Sequence, residues 1–192
     1  MHGARLRNLV LAGVMAALLA AVAPVRFFLP GVPGVPVTLQ VLVVLLAGGL
    51  FRPAWGAAAM GLYLLLGAAG LPVFAGGNAG LQVLVGPTAG YLWSYPLAAA
   101  VVGALALPAG HGADASVRPG RVRMFGAMLA GLAVIYVCGA GWAWLIGGQG
   151  LAAVLAGWVL PFVPFDLVKA AVAAEGAAAL RRALARAGLL AV

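Results

Sequence analysis

Residues 124–146 read MFGAMLAGLAVIYVCGAGWAWLI and contain no charged side chain. A helix needs about 20 apolar residues to cross the hydrocarbon core of a bilayer, so this stretch is long enough to span one. The rest of the chain has the same character, because 66% of its 192 residues are hydrophobic and 7% are charged. Soluble domains carry about 25% charged residues. The sequence therefore predicts an all-α integral membrane protein and excludes an ordinary soluble domain.

Apolar segments divide the chain into six predicted transmembrane helices, which form a single domain over residues 1–192. Their predicted bounds are Leu6–Phe28, Val37–Phe51, Ala54–Gly70, Gly90–Leu107, Met124–Ile146 and Leu151–Leu180. The second segment is short, about 22 Å at 1.5 Å per residue. It must extend into its flanks or lie where the protein itself covers its ends.

The basic residues predict the orientation of this bundle, because cytoplasmic loops are enriched in Lys and Arg. Six helices with both termini in the cytoplasm leave only Arg26 outside. The basic residues on the inner side are then Arg5, Arg7, Arg52, Arg118, Arg121, Arg123, Arg181, Arg182 and Arg186. Five or seven helices would put the C-terminal arginines outside. The formal charge of +8 thus reports membrane topology and not a nucleic-acid partner.

Two predicted loops differ in character. The inner loop Pro108–Arg123 contains His111, Asp114 and other residues typical of a solvated turn. The outer loop over residues 71–89 is uncharged and rich in glycine. An apolar loop of this length is expected to fold back over the bundle as a cover.

Asp166 and Lys169 are the strongest candidates for a functional site. They lie in PFVPFDLVKAAVAAE, residues 161–175, and their i,i+3 spacing places both on one helix face. Burying either charge at the bilayer centre costs roughly 2.5–3.5 kcal/mol. The pair either faces a ligand cavity or locks the bundle as a structural ion pair. Pro161 and Pro164 are expected to break or kink the segment near its outer end.

Other polar and small residues have two interpretations each. Thr38 and Gln40 cap the second helix or line the outer mouth, and Asn78 is a turn residue or a ligand contact. The aromatic residues Tyr91, Trp93 and Tyr95 could form an interfacial belt. Small residues at Ala12, Ala16 and Ala20, and also at Gly13, Ala17 and Ala21, allow close approach of another helix, within the chain or from a partner.

No motif supports an enzyme. The sequence has no P-loop, no Ser-His-Asp set and no His/Cys/Glu metal constellation. Its one cysteine, Cys138, excludes a disulfide within the chain and is expected to be a packing residue. These features indicate a membrane binding subunit.

Three stretches resemble the BioY family, the biotin-specific substrate-binding components of energy-coupling-factor (ECF) transporters. They are PGVPVTLQ (residues 33–40), GLPVFAGGNAGLQVLVGPTAGYL (residues 70–92) and FDLVKA (residues 165–170). The resemblance covers essentially the whole chain. Family members often carry a further glycine where Ala79 or Ala89 stands here, which affects loop geometry rather than ligand identity.

The resemblance implies a multi-pass protein of a prokaryotic plasma membrane that binds biotin and needs no cofactor. Its implied partners are a membrane coupling (T) subunit and two cytosolic ABC-type ATPases. Asp166 would accept from the ureido N–H groups of biotin, while Lys169 and Asn78 would donate to its carbonyl or carboxylate. Phe74 and Tyr91 would pack on the thiophane ring and acyl chain, and Ala12, Ala16 and Ala20 would dock the coupling subunit.

Two alternatives remain at this point. One is a substrate-binding component of the same architecture for another vitamin, thiamine or riboflavin. The other is a structural membrane protein in which the Asp166–Lys169 pair only stabilises packing.

Overall fold

The computed structural model describes residues 2–27, 37–107 and 119–189, with side chains from Arg5 onward. Within these ranges the chain forms seven α-helices, two short strands and two 3-10 turns. The helices are α1 His2–Val22, α2 Gln40–Leu50, α3 Pro53–Ala68, α4 Ala89–Ala106, α5 Arg121–Gly147, α6 Leu151–Trp158 and α7 Val163–Arg186. Strands β1 Arg26–Phe27 and β2 Val37–Thr38 pair antiparallel, and the 3-10 turns are Ala75–Gly77 and Leu81–Leu84.

Some of the sequence-based predictions fall outside the described residues. They concern Phe28 at the end of the first segment, residues 33–36 of the PGVPVTLQ stretch, and His111, Asp114 and Arg118 of the inner loop.

Three described helices, α1, α4 and α5, are long and apolar enough to cross a membrane. The broken pair of α6 and α7 adds a fourth crossing if the two helices are taken as one span. Helices α2 and α3 are apolar but shorter, with 11 and 16 residues. The described part of the chain is therefore a mostly helical bundle with three or four candidate membrane spans.

The last predicted segment is not one continuous helix. Helix α6 ends at Trp158, and α7 begins at Val163 at an angle of 55° to it. Pro161 lies in the break, and Pro164 lies in the first turn of α7. Proline lacks the N–H that a helix interior requires, but it is well suited to a first turn. The break predicted at Pro161 and Pro164 is confirmed; the segment predicted over Leu151–Leu180 consists of two helices, and the second continues to Arg186.

The first predicted segment also ends earlier than expected. Helix α1 stops at Val22, two residues before Pro24, and the chain is extended by Arg26. A proline disfavours helical backbone at the residue before it. The prediction extended the helix to Phe28 because Val25 and Phe27 are apolar. In the structure both residues lie beyond the end of the helix.

Small residues let the helices approach closely. A Cβ added at Gly48 of α2 would lie 2.6 Å from the Val102 Cβ and 2.9 Å from the Ala99 carbonyl oxygen of α4. Lipid tails are as apolar as leucine, so helices in a bilayer are held together by packing rather than by hydrophobic exclusion. The outward surface is apolar, with Leu65, Val137 and Val168 more than half exposed.

The predicted docking face on α1 is wrong for two of its three alanines. Ala12 is 4% exposed and Ala16 is fully buried, and both belong to the core of the chain. Ala20 is partly buried against the same core. These alanines face inward because their small side chains admit the neighbouring helices of the chain. From Arg5 onward, the exposed small residues of α1 are Ala17 and Ala21.

Arginine side chains tie one end of the bundle together. Arg7 Nη1 donates to the Gly188 carbonyl at 2.9 Å, which joins the start of α1 to the end of α7. Arg181 Nη1 donates to the Leu50 carbonyl at 3.0 Å, and Arg123 Nε donates to the Leu105 carbonyl at 2.7 Å. The last carbonyls of a helix have no partner within it, so these bonds satisfy groups at the ends of α2 and α4.

The Gly48 contact predicts the effect of one added methyl group. Alanine favours helix over glycine by about 1 kcal/mol, but at Gly48 it must displace Val102. We expect Gly48→Ala to lower the free energy of unfolding in detergent by about 1–3 kcal/mol, as overpacking does. Gly126→Ala is the control, because Gly126 is exposed on α5 and nothing lies within 4 Å of its added Cβ. Equal stability of the two variants would contradict close α2–α4 packing.

Candidate ligand-binding site

A cavity opens between the N-terminal ends of α2, α4 and α7, beside the middle of α5. The space between its side chains, including its open mouth, is about 780 Å³. Among the lining residues are all seven that were predicted as ligand contacts: Thr38, Gln40, Phe74, Asn78, Tyr91, Asp166 and Lys169. The fold therefore brings together residues that lie up to 131 positions apart in the numbering.

Asp166 is the most buried charged residue of the cavity. It lies in the first turn of α7 and is 3% exposed. Lys169 Nζ lies 2.6 Å from its Oδ1, and the Tyr136 hydroxyl donates to its Oδ2 at 2.7 Å. The pair is nearly excluded from solvent, with the Lys169 side chain 12% exposed. A carboxylate at a helix N-terminus is also favoured by the helix dipole.

The buried pair makes the base of the cavity polar but electrically neutral. Asp166 and Lys169 are the charged residues among those that line it. A buried pair of this kind is costly to form, since desolvation offsets much of the mutual attraction. Each carboxylate oxygen has two acceptor positions and the ammonium group has three donors. The arrangement can therefore hydrogen-bond a ligand while the ion pair stays intact.

Gln40 faces the protein rather than solvent. It is 3% exposed at the start of α2, and its Nε2 donates to the Tyr63 hydroxyl of α3 at 2.8 Å. Tyr63 in turn meets Phe74 edge-on, with ring centroids 5.6 Å apart. Gln40 was interpreted either as a helix cap or as a residue of the outer mouth, and the structure places its amide between α2 and α3. Thr38 lines the cavity from strand β2.

The glycine-rich loop reaches the cavity through Phe74 and Asn78. Phe74 is fully buried against Gly67 of α3, where any added side chain would overlap its ring. The Gly80 amide donates to the Gly67 carbonyl at 2.7 Å, and Asn78 Nδ2 donates to the Ala75 carbonyl at 2.8 Å. Asn78 thus has the turn role that its glycine-rich surroundings suggested, and it also lines the cavity.

The three aromatic residues at the start of α4 have different roles. The Tyr91 hydroxyl donates to the Trp158 carbonyl at 2.5 Å, which joins α4 to the end of α6. Trp93 is 54% exposed, as expected for an interfacial residue, and its Nε1 donates to the Leu84 carbonyl. Tyr95 is 4% exposed and lines the cavity, so the interfacial-belt interpretation is wrong for it.

Sequence reasoning missed several lining residues. Tyr136, Trp158 and Phe162 all line the cavity, and Tyr136 hydrogen-bonds Asp166. Tyr136 had a detectable signal, because it carries the one hydroxyl group in residues 124–146. Trp158 and Phe162 had none, since their position depends on the break between α6 and α7.

The chain has the fold of a known transporter component. It matches the crystal structure at 2.1 Å of the S-component for biotin from an ECF-type ABC transporter with a TM-score of 0.79. The match covers 95% of this chain and 94% of the other, at 23% sequence identity. At that identity the likeness demonstrates a shared fold.

Sequence relatives are more similar. The biotin transporter BioY of Rhodobacter capsulatus is 40% identical over 177 residues, covering 86% of this chain and 88% of the relative. The biotin transporter BioY of Thermotoga maritima is 38% identical, covering 92% of this chain and 97% of the relative. These relatives are named transporters, which agrees with the prediction that the chain is not an enzyme. A sequence profile of the BioY family matches residues 1–186, and the chain belongs to this family.

Proposed function

We propose that the chain binds biotin in the cavity and mediates its uptake across the plasma membrane of a prokaryote. The observation that carries this proposal is the buried Asp166–Lys169 pair at the base of a cavity that all seven predicted contact residues line. The names of the R. capsulatus and T. maritima relatives support biotin as the substrate.

The donors and acceptors of the cavity suit the ureido ring of biotin, which has two N–H donors and one carbonyl acceptor. Asp166 accepts from the N–H groups through lone pairs that Lys169 and Tyr136 leave available. Lys169 or Asn78 donates to the ureido carbonyl. Because this ring is uncharged, it can be buried beside a neutral ion pair without adding an unpaired charge.

The apolar part of biotin finds aromatic partners. Phe74, Tyr91, Trp158 and Phe162 line the cavity from the loop, α4 and the break between α6 and α7. Their rings offer apolar surface to the thiophane ring and the acyl chain, and burial of apolar surface contributes about 25 cal/mol per Å².

The rival interpretations explain less of this geometry. A purely structural ion pair would be expected between packed helix faces, whereas Asp166 and Lys169 line an open cavity. A site for thiamine or riboflavin remains the closest competitor in architecture, and both relatives described above are named for biotin instead.

A six-helix topology with both termini in the cytoplasm is part of this proposal. It takes α1 to α5 as single crossings and the bent α6–α7 pair as the sixth. The arginine bonds at one end of the bundle support it, because Arg7, Arg123 and Arg181 lie at the end opposite the cavity. The short helix α2 is buried along most of its length, so the protein shields its ends from lipid. The loop over residues 71–88 then covers the cavity from outside.

In this proposal partners supply the energy for uptake, and the similarity to the S-component of an ECF-type ABC transporter supports this. We infer a membrane coupling subunit and two cytosolic ABC-type ATPases. The coupling subunit docks on the exposed small residues of α1, Ala17 and Ala21, rather than on the buried Ala12 and Ala16.

The ion pair predicts which substitutions abolish binding. We expect purified protein to bind labelled biotin, with unlabelled biotin displacing it and thiamine or riboflavin failing to do so. Asp166→Asn and Lys169→Ala should each weaken binding at least about tenfold, because each leaves a desolvated polar group without its partner. Equilibrium binding in detergent is the measurement.

Glu175→Gln is the matched control for Asp166→Asn. It makes the same chemical change on the same helix, but Glu175 is 57% exposed and pairs with Arg121 at 3.2 Å, away from the cavity. Biotin affinity should be unchanged in this variant. Wild-type affinity in Asp166→Asn and Lys169→Ala would refute the site, and absence of biotin binding by the unaltered protein would refute the function.

Docking of the coupling subunit predicts a separate phenotype. Ala17→Trp should leave biotin binding intact but abolish ATP-dependent uptake in a reconstituted transporter, because a bulky side chain on the contact face prevents close helix packing. Ala133→Trp is the control, since Ala133 is an exposed alanine on α5. Normal uptake by Ala17→Trp would show that this face of α1 does not contact the coupling subunit.

A further inference from the structure

A deeply buried hydroxyl group of the cavity is not used by the proposed function. It belongs to Tyr95 of α4, which lines the cavity and is 4% exposed. Tyr95 lies four residues after Tyr91, so both side chains fall on one face of α4, and Tyr95 is about 6 Å farther from the start of the helix. The Asp166 carboxylate is close enough to act electrostatically on the Tyr95 hydroxyl. The hydroxyl therefore belongs to the polar base of the cavity.

Within the part of the chain that the structure describes, the Tyr95 hydroxyl makes no hydrogen bond. The hydroxyls of the three other tyrosines, Tyr63, Tyr91 and Tyr136, are each hydrogen-bonded. The Tyr95 hydroxyl is also not sealed in the core, since the buried side-chain polar atom that lacks a partner among the described residues is Arg7 Nε. A hydroxyl that has neither a partner nor complete burial must be reached from the cavity that its residue lines.

The other donors proposed for the ureido carbonyl are already engaged within the protein. Lys169 Nζ is bonded to Asp166, and Asn78 Nδ2 donates to the Ala75 carbonyl. Asn78 is also exposed, so water competes for its amide group. The Tyr95 hydroxyl is buried and uncommitted. Because buried polar groups are stabilised by finding a partner, it is the donor best prepared for a ligand that enters the base of the cavity.

We propose that the Tyr95 hydroxyl donates a hydrogen bond to the ureido carbonyl of the ligand and thereby contributes to the recognition of a cyclic urea. This inference rests on the proposed function, in which Asp166 accepts from the ureido N–H groups. The carbonyl of a planar ureido ring lies between its two N–H groups, so a ring bonded to Asp166 holds its oxygen close by. That oxygen has two acceptor positions, and Tyr95 can therefore share it with Lys169.

This arrangement makes the base of the cavity complementary to the ring. Asp166 of α7 offers acceptor positions to the N–H groups, and Tyr95 of α4 offers a donor to the oxygen. A site that hydrogen-bonds a polar group strongly rejects an analogue that lacks this group, because the buried partner is then left unpaired. We therefore expect Tyr95 to distinguish ligands by the atom at the ureido oxygen position rather than by the apolar part of the molecule.

The experiment removes the hydroxyl with Tyr95→Phe, which keeps the aromatic ring, and measures equilibrium binding in detergent. We expect biotin binding to weaken about fivefold, the size expected for one neutral hydrogen bond. Desthiobiotin, which keeps the ureido group but lacks the sulfur, should lose the same factor. Thiobiotin, in which sulfur replaces the ureido oxygen, should change little, because sulfur is a weak acceptor. A loss seen with biotin but not with desthiobiotin would place the hydroxyl at the thiophane sulfur and overturn the proposal.

Thermal unfolding of the ligand-free protein separates a ligand contact from a structural role. Because the Tyr95 hydroxyl bonds no group of the described protein, Tyr95→Phe should leave the unfolding temperature in detergent unchanged or higher. A lower unfolding temperature, with equal losses of affinity for all three ligands, would show a structural role and overturn the proposal.

Ser94→Ala is the matched control. Ser94 is the preceding residue of α4 and is 1% exposed, but its hydroxyl donates to the Tyr91 carbonyl and it is not among the residues that line the cavity. This variant also removes a buried hydroxyl from α4, and its biotin affinity should be unchanged. An equal loss in Ser94→Ala would trace the effect to the helix rather than to the Tyr95 hydroxyl.

The outcomes separate this inference from the proposed function. Unchanged biotin affinity in Tyr95→Phe would overturn the role of Tyr95 and leave the function standing. If unaltered protein bound no biotin, the proposed function would fail and this inference with it. A loss shared by biotin and desthiobiotin but not by thiobiotin, with undiminished stability of the ligand-free variant, supports the inference.

Discussion

The buried ion pair between Asp166 and Lys169 is the constraint on which the rest of the molecule depends. In a chain with 7% charged residues, two opposite charges placed deep in an apolar bundle need each other and further hydrogen bonds to be tolerated. Tyr136 on α5 supplies one such bond to Asp166. Through this bond the pair links α7 to α5. The same pair provides the polar base of the cavity, so the ion pair that the bundle has to bury also defines its candidate site.

The break between α6 and α7 opens space for that site. Because α7 begins at Val163, Asp166 falls in its first turn rather than in the middle of a long helix. The same break turns Trp158 and Phe162 toward the cavity, and Tyr91 of α4 bonds the carbonyl of Trp158. An unbroken helix would fill this region with its own backbone. The prolines near the break thus contribute to the site by setting where α7 begins.

The sequence alone could predict some of these structural features but not others, and the reasons are physical. The membrane class and the Asp166–Lys169 pair were accessible from the residues themselves, because long apolar runs and i,i+3 spacing have strong local causes. Phe74 of the loop was implied only by the resemblance to the BioY family. The direction in which the α1 alanines face was not accessible. In a helix where small residues occur on more than one face, the sequence offers no amphipathic contrast, so the burial of Ala16 and exposure of Ala17 depend on where α2 and α3 pack.

By itself the sequence determined that this chain is a helical membrane protein with an isolated Asp–Lys pair, since hydrophobicity and charge are properties of residues and need no partners. Only the tertiary structure decided which residues meet. It brought Gln40 to Tyr63, Tyr136 to Asp166 and Arg26 to Gly76. Those contacts depend on where the helices end, on the angles at which they cross and, at Gly76, on the absence of a Cβ. All three are set by the packing of the whole bundle.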